Sequence, residues 1–459
     1  MSNGVSGTGG YTTVRREIGV VTATSIVVAN IVSTGIFTTT GIISGYLPGG
    51  LWVLLCWGFG GLLAMAGALC YAELSTRMPE EGAEYVYLKR LYHPALGFLT
   101  GWTSFIVGFS AAIAAASIAF SEYLYAGLAG NGLVESMSLT LVKKGAAVLV
   151  ILLFTAIHYV GRRFGSRVQI VLTVIKIAII LGLAGFGLAR GGGHLPELSF
   201  GGDGGSFNWI AIGTAMMLVM FAYSGWNASA YIAGELKDPR RTLIRSLAIG
   251  TLVVIALYVM INLFIFQTLP FASVRGEITI VERAAVGAFG DWMGRGISFL
   301  ISAALLSSLS AYIIIGPRVY YAMARDRLFF PFASKLHPRY NVPSRSIAIQ
   351  GLIAVVMVTI GSFEQLLVYL GFALGIFPWL AVFGIFIARR RSIGEETAVK
   401  VWGYPVVPGF FLLSTLFLMV IAFINRPLES SAAILTILAG VPCYLLWVRT
   451  VGKRSGNAL

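Results

Sequence analysis

Twelve apolar segments follow one another along this chain, each near the ~20 residues that a helix needs to cross a hydrocarbon core. They fall at residues 17–45, 50–74, 95–126, 145–161, 166–189, 209–235, 242–268, 292–321, 346–361, 364–388, 406–425 and 430–448. Too little polar sequence is left over for a water-soluble fold, since 57% of the 459 residues are hydrophobic and 11% are charged. In lipid, backbone groups must be satisfied within the protein, and continuous helices do this. The expected fold class is therefore an all-α polytopic membrane protein with 12 transmembrane helices. The first segment is too long for a cleaved signal peptide and has no small-residue cleavage site behind it.

The net charge of +14 reads as topology. With the N-terminus inside, 24 of the 33 Lys and Arg residues lie in cytoplasmic segments and 7 in outer ones. That split follows the positive-inside rule and predicts both termini in the cytoplasm. No soluble basic domain or aromatic–basic motif offers a nucleic-acid surface.

Two of the segments are interrupted where an apolar run should be most uniform. Residues 28–40 carry Asn30, Ser33, Thr34 and Gly35 at mid-segment, and residues 221–229 carry Ser224, Gly225 and Asn227. Gly and Asn weaken a helix by roughly 1 kcal/mol each relative to Ala. An unwound turn leaves free N–H and C=O groups at mid-membrane, which is tolerated where it lines a cavity. A small-residue packing patch would carry similar residues. Interruptions at the first and sixth positions together predict two five-helix halves of inverted orientation, the pattern of a secondary transporter. The expected division is a tail 1–16, a first repeat 17–189, an outer loop 190–208, a second repeat 209–388, helices 11 and 12 over 389–448, and a tail 449–459.

Lys176 lies ten residues past Ser166, roughly 15 Å deep in a core ~30 Å thick. An ionisable residue there faces the bundle interior and has a partner. By contrast the Glu, Arg and Lys after the second segment, from Glu73 to Arg90, are expected to face the cytoplasm. Gly97 and Gly101 are expected to serve close packing.

Cys56, Cys70 and Cys443 lie in apolar runs without a paired spacing, and His93, His158, His194 and His337 are scattered. No metal site and no cofactor is expected. The helix cores hold no paired acids, histidine cluster or Ser–His arrangement, which argues against an enzyme. The pair of broken helices argues against a channel. Uptake in proteoliposomes separates a transporter from a sensor of the same fold.

Four stretches resemble the amino acid–polyamine–organocation permeases, and within them the L-type amino acid transporters and their bacterial relatives. They are Val32-Ser-Thr-Gly-Ile-Phe37; Tyr71-Ala-Glu-Leu-Ser-Thr-Arg-Met-Pro79 with Gly82-Ala-Glu-Tyr-Val-Tyr-Leu88; Phe221-Ala-Tyr-Ser-Gly-Trp-Asn227 with Glu235-Leu-Lys-Asp-Pro-Arg-Arg-Thr242; and Gly316-Pro-Arg-Val-Tyr-Tyr-Ala-Met-Ala-Arg-Asp326. The resemblance implies a leucine-transporter-type 5+5 inverted repeat with broken helices 1 and 6, and amino acid transport through alternating access. It implies that backbone N–H groups of Ser33, Thr34 and Gly35 hold the substrate carboxylate, with Ile36 beside them. Carbonyls near Ile31 and Phe221 would hold the ammonium. Phe221 would cap the substrate, and Ala222, Ser224 and Asn227 would complete the site. The family usually has Gly where Ser33 stands. Relatives that accept cations can carry Asp at the position of Ser224, so neutral L-amino acids are expected.

The resemblance further implies that Lys176 stands in for a sodium ion near helix 1, with Ser307 and Ser308 on helix 8 and Tyr258 on helix 7 about the same break. Transport is then expected to be sodium-independent exchange; the alternative is proton-coupled amino acid or polyamine uptake. Eukaryotic members pair with a glycoprotein through a cysteine between helices 3 and 4, and residues 127–144 contain none. A monomer in the bilayer of a cell (inner) membrane is expected, without a disulfide-linked subunit.

Overall fold

The computed structural model describes residues 18–80, 82–128, 139–160, 162–190, 199–201, 208–339 and 342–456, with the side chains of 162–173, 322 and 449–456 excepted. The expected N-terminal tail, most of the outer loop 190–208, and the side chains of the basic C-terminal tail lie outside the described residues. So do the side chains of Arg162, Arg163 and Arg167 and much of the loop 127–144.

The described chain is helical almost throughout. In order it runs α1 (Val20–Ile31), α2 (Gly35–Ser44), α3 (Gly50–Arg77), α4 (Glu84–Leu91), α5 (Pro94–Thr103), a π-turn (Ser104–Gly108), α6 (Ser110–Leu128), α7 (Leu139–Val160) and α8 (Arg162–Arg190). It continues through α9 (Trp209–Ala222), a 3-10 segment (Ala228–Glu235), α10 (Pro239–Thr268), α11 (Phe271–Val274), α12 (Ile280–Phe289) and α13 (Asp291–Arg325). A 3-10 turn (Pro331–Ser334), α14 (Ser344–Ile360), α15 (Phe363–Arg390), α16 (Val406–Asn425) and α17 (Pro427–Gly456) complete it. Among the described residues the β pairing is a single bridge between Ile18 and Leu236.

Among the described residues eight helical stretches are long and apolar enough to cross a membrane, counting α5, the π-turn and α6 as one, or nine if the pair α1 and α2, bent by 41°, is one span. The shorter apolar helices α9 and α14 and the long α8 occupy the other predicted segments. Helix starts follow local chemistry. Asn208 Oδ1 accepts from the amides of Ile210 and Ala211 at the start of α9. Asp238 caps α10, with Pro239 in its first turn. Ser362 and Gln365 form a reciprocal capping box on α15. Such caps satisfy amides that have no partner within the helix.

Two groups of helices emerge from the packing. One joins α1, α3 and α10, and the other joins α6, α7, α13 and α14. Helix α8 touches both, through α10 on one side and α13 on the other, and α15 likewise packs against α3 and against α6. The close approach of helices uses glycine as expected at Gly101, where an added Cβ would run into Met323.

The charged residues behind the second segment depart from expectation. Glu73, Arg77 and Glu84 are buried rather than turned to the cytoplasm. Glu73 accepts from Arg77 Nε at 2.9 Å, from Arg389 Nη2 at 2.7 Å and from the Val401 amide at 2.8 Å. Arg77 also donates to the carbonyl of Ile393 at 2.7 Å. The segment 391–401 folds back over the end of α3, so pairing and hydrogen bonding replace water around these charges.

Candidate functional site

The two interruptions are real breaks in the helices, and they meet. Helix α1 ends at Ile31, with Val32 at φ −68° and ψ 90°, and the chain restarts as α2 at Gly35. Helix α9 ends at Ala222, turns through residues 223–227 and resumes as a 3-10 segment. A Cβ placed on Gly35 would lie 2.5 Å from Ala222 Cα, and one on Gly225 would lie 3.0 Å from the carbonyl of Asn30. Each break thus seats a glycine on the backbone of the other helix. At Gly225, φ of +97° excludes most side chains on conformational grounds too.

The last four carbonyls of a helix have no partner within it. In α1, Val28 O receives the Val32 amide at 2.9 Å. Ala29 O receives Lys176 Nζ at 3.3 Å, and Ile31 O receives the Tyr258 hydroxyl at 2.9 Å. In α9, Val219 O receives the Tyr223 amide at 3.0 Å, and Phe221 O receives the Ser224 amide at 2.9 Å. The Tyr258 hydroxyl also stands 2.9 Å from Ala222 O. Its single proton serves Ile31 O or Ala222 O, so one side chain ties the two broken ends together.

Lys176 is 1% exposed, with Ser308 Oγ 3.4 Å from its ammonium. Ser307 is buried beside Ser308 on the same helix. Among the described residues no carboxylate pairs with Lys176. The ammonium sits at the negative end of the α1 dipole, which favours a cation.

Ser33, Thr34, Gly35 and Ile36 are all buried. Helix α2 starts without a side-chain cap, and Ser33 Oγ has no hydrogen-bond partner among the described residues. Phe221 and Ser224 take a different setting. They line a cavity of about 70 Å³ between α9, α15 and α16, together with Met217, Trp226, Gly371 and Thr415. Thr415 Oγ1 is likewise buried without a partner. The helix 1 residues do not line that cavity. Asn227 is turned elsewhere, its amide donating to Glu84 Oε1 at 2.6 Å.

Several residues about the breaks carried no separate signal in the sequence. Trp57 packs edge-on against Tyr258 and against Tyr223, with ring centroids 5.0 Å and 5.9 Å away. The Tyr223 hydroxyl donates to the carbonyl of Trp57 at 3.0 Å. Tyr123 of α6 donates to Phe37 O at 2.6 Å, and Thr40 donates to Asn262 at 2.6 Å, both holding α2. Asn262, an amide inside an apolar run, and Glu84, inside a quoted motif, were the two that polarity could have flagged.

Comparison with known proteins agrees with this architecture. The family model described as "Amino acid permease" matches residues 18–446. The serine/threonine exchanger SteT of Bacillus subtilis is 32% identical over 437 residues, covering 94% of this chain and 96% of that protein. The b(0,+)-type amino acid transporter 1 of Homo sapiens is 28% identical, with 95% and 89% covered. The Asc-type amino acid transporter 1 of Mus musculus is 26% identical, with 95% and 81% covered.

Proposed function

Because the chain belongs to the amino acid permease family, we propose that this amino acid transporter exchanges neutral L-amino acids, without sodium, by alternating access. Its site is the junction of the two breaks. The uncapped start of α2 offers amides and a positive dipole end to a carboxylate. The carbonyls of Ile31 and Phe221 each keep a second lone pair for an ammonium. Phe221 and Ser224 would direct the substrate side chain into the adjoining cavity. The Ser224 and Thr415 hydroxyls suit a small or medium neutral side chain, in line with the serine and threonine named for the Bacillus relative. Among the described residues the cavity walls hold no carboxylate to meet a cation.

The observation that carries this reading is the mutual seating of Gly35 on Ala222 and Gly225 on Asn30. A substrate bound there would touch both helices at once, and neither could move without the other. Lys176, reaching from α8 to the end of α1, would supply the positive charge that a sodium ion would otherwise bring. Twelve spans, two inverted halves and both termini in the cytoplasm of a cell membrane belong to the same reading. The three cysteines are free, and the chain would work without a disulfide-linked subunit.

The test is a panel of labelled amino acids in proteoliposomes, with and without internal amino acid, in sodium and in choline. Uptake should require internal substrate and be equal in the two salts. Arginine should compete poorly against serine, alanine or leucine. A sodium requirement, or arginine competing as well as alanine, would overturn the corresponding part.

A further inference from the structure

Two buried acids stand at the same end of the bundle and are treated differently. Glu73 has two guanidinium partners, from Arg77 and Arg389. Glu84, the first residue of α4 and 3% exposed, has none: among the described residues no Lys or Arg forms an ion pair with it. Its partners are neutral donors from three parts of the chain. Tyr71 of α3 donates to Oε1 at 2.8 Å, Asn227 of the helix 6 break donates to Oε1 at 2.6 Å, and Tyr231 of the 3-10 segment donates to Oε2. Tyr87, on α4 itself, is engaged with Ser75 at 2.6 Å. Arg389 of α15 is committed to Glu73, while Arg391, just past the end of α15, donates to the carbonyl of Leu91 at the far end of α4. Tyr231 is 38% exposed, so one member of the cluster lies at the protein surface.

We propose that Glu84 is a proton-binding site of the transport cycle, taking up a proton as the segment 223–235 closes on α3 and α4 and releasing it as that segment opens to water. This rests on the transport reading above. A carboxylate without a cation is costly to bury, and a buried carboxyl answers by keeping its proton. Burial pushes the Glu84 carboxyl above its usual range, against hydrogen bonds from Tyr231 and Tyr71 that pull the other way. When ionised, the carboxylate accepts all three donors. When protonated, it donates one hydrogen to the oxygen of Tyr231 or Tyr71, whose own hydroxyl proton must turn away. The proton comes from water and returns to it, with no other reactant. Because the closed form holds the proton more tightly than a water-exposed form, closure is favoured at low pH and weakens as pH rises through the raised value.

The test uses the full chain in liposomes, exchanging labelled alanine against internal alanine at equal pH on both sides. Exchange should rise severalfold as the pH is raised, by the factor by which the closed form holds the proton more tightly than the open one. Glu84→Gln should flatten that profile, and Glu84→Asp should keep it. Tyr231→Phe removes a donor to the ionised form and should move the midpoint to higher pH, which a purely structural Glu84 would not do. Hydrogen exchange over residues 223–235 is followed in the same samples, comparing wild type with Glu84→Gln at each pH, and needs no substrate. Protection in wild type should fall with rising pH while the variant stays level. Failure of every amino acid to exchange would count against the transport reading alone. A pH-independent wild type, an unmoved Tyr231→Phe midpoint, or equal hydrogen exchange in both proteins would overturn the proton site.

Discussion

The two breaks share a sequence signature and differ in what surrounds them. The break in the first span is sealed. Its small residues are buried, Gly35 lies on the backbone of Ala222, and the free carbonyls behind it are taken by Lys176 and Tyr258. The break in the sixth span is open on one side, where Phe221 and Ser224 face a cavity, and is anchored at its other end by Asn227 on Glu84. Polar residues in an apolar run therefore announce a break without saying whether it becomes a joint or a pocket wall. Neighbouring helices decide that, Ala222 in one case and α15 with α16 in the other.

If the first break is a joint, filling it should have the largest effect. Gly35→Leu would force a side chain into the Ala222 backbone, and exchange in proteoliposomes should be abolished. Gly35→Ala adds only the Cβ, yet overpacking costs ~1–3 kcal/mol, and a loss of about tenfold is expected. Gel filtration of both variants separates lost function from lost folding. Normal exchange in Gly35→Leu would show that the two breaks need not meet.

Lys176 comes next. Lys176→Met keeps most of the bulk and removes the ammonium that holds Ala29 O. Turnover should fall about tenfold, equally in sodium and choline, as one expects of a buried functional charge. Unchanged turnover would reduce Lys176 to a packing residue. Tyr258→Phe removes one hydroxyl between Ile31 O and Ala222 O. A neutral hydrogen bond contributes ~0.5–1.5 kcal/mol, so a loss of severalfold in exchange is expected, with the protein still folded.

The sequence disclosed these elements unevenly, for physical reasons. Segment positions were legible because a bilayer sets length and polarity together. The breaks were legible because Ser33, Thr34, Gly35, Ser224, Gly225 and Asn227 are unwelcome at mid-span, and Lys176 because no stem could carry its charge to water from that depth. The facing partners were not legible. A span that is apolar all round gives no stripe from which to read its inner face, so Trp57, Tyr123 and Thr415 looked like any other residue of their runs. Glu73 and Glu84 misled for the opposite reason. Charge near a helix end reads as solvent-facing, and only the folded chain brings Arg389 and Tyr231 to them.

The smallest effect separates the breaks most sharply, because it lies on the cavity side alone. Thr415 Oγ1 is buried in the cavity wall with no partner. A hydroxyl so placed carries its desolvation cost in the empty protein, and an apolar group of the same shape can be neutral or stabilising there. Thr415→Val should therefore fold at least as well as the wild type, read as an equal or higher melting temperature in detergent. A substrate hydroxyl reaching the cavity would meet Thr415, so serine should lose affinity by ~1 kcal/mol, or roughly fivefold, while alanine is unaffected and leucine gains slightly. Competition curves for the three amino acids against labelled alanine give the ratio directly. An equal change for serine and alanine would mean that the side chain does not enter this cavity, and the sixth-span break would then be a second joint.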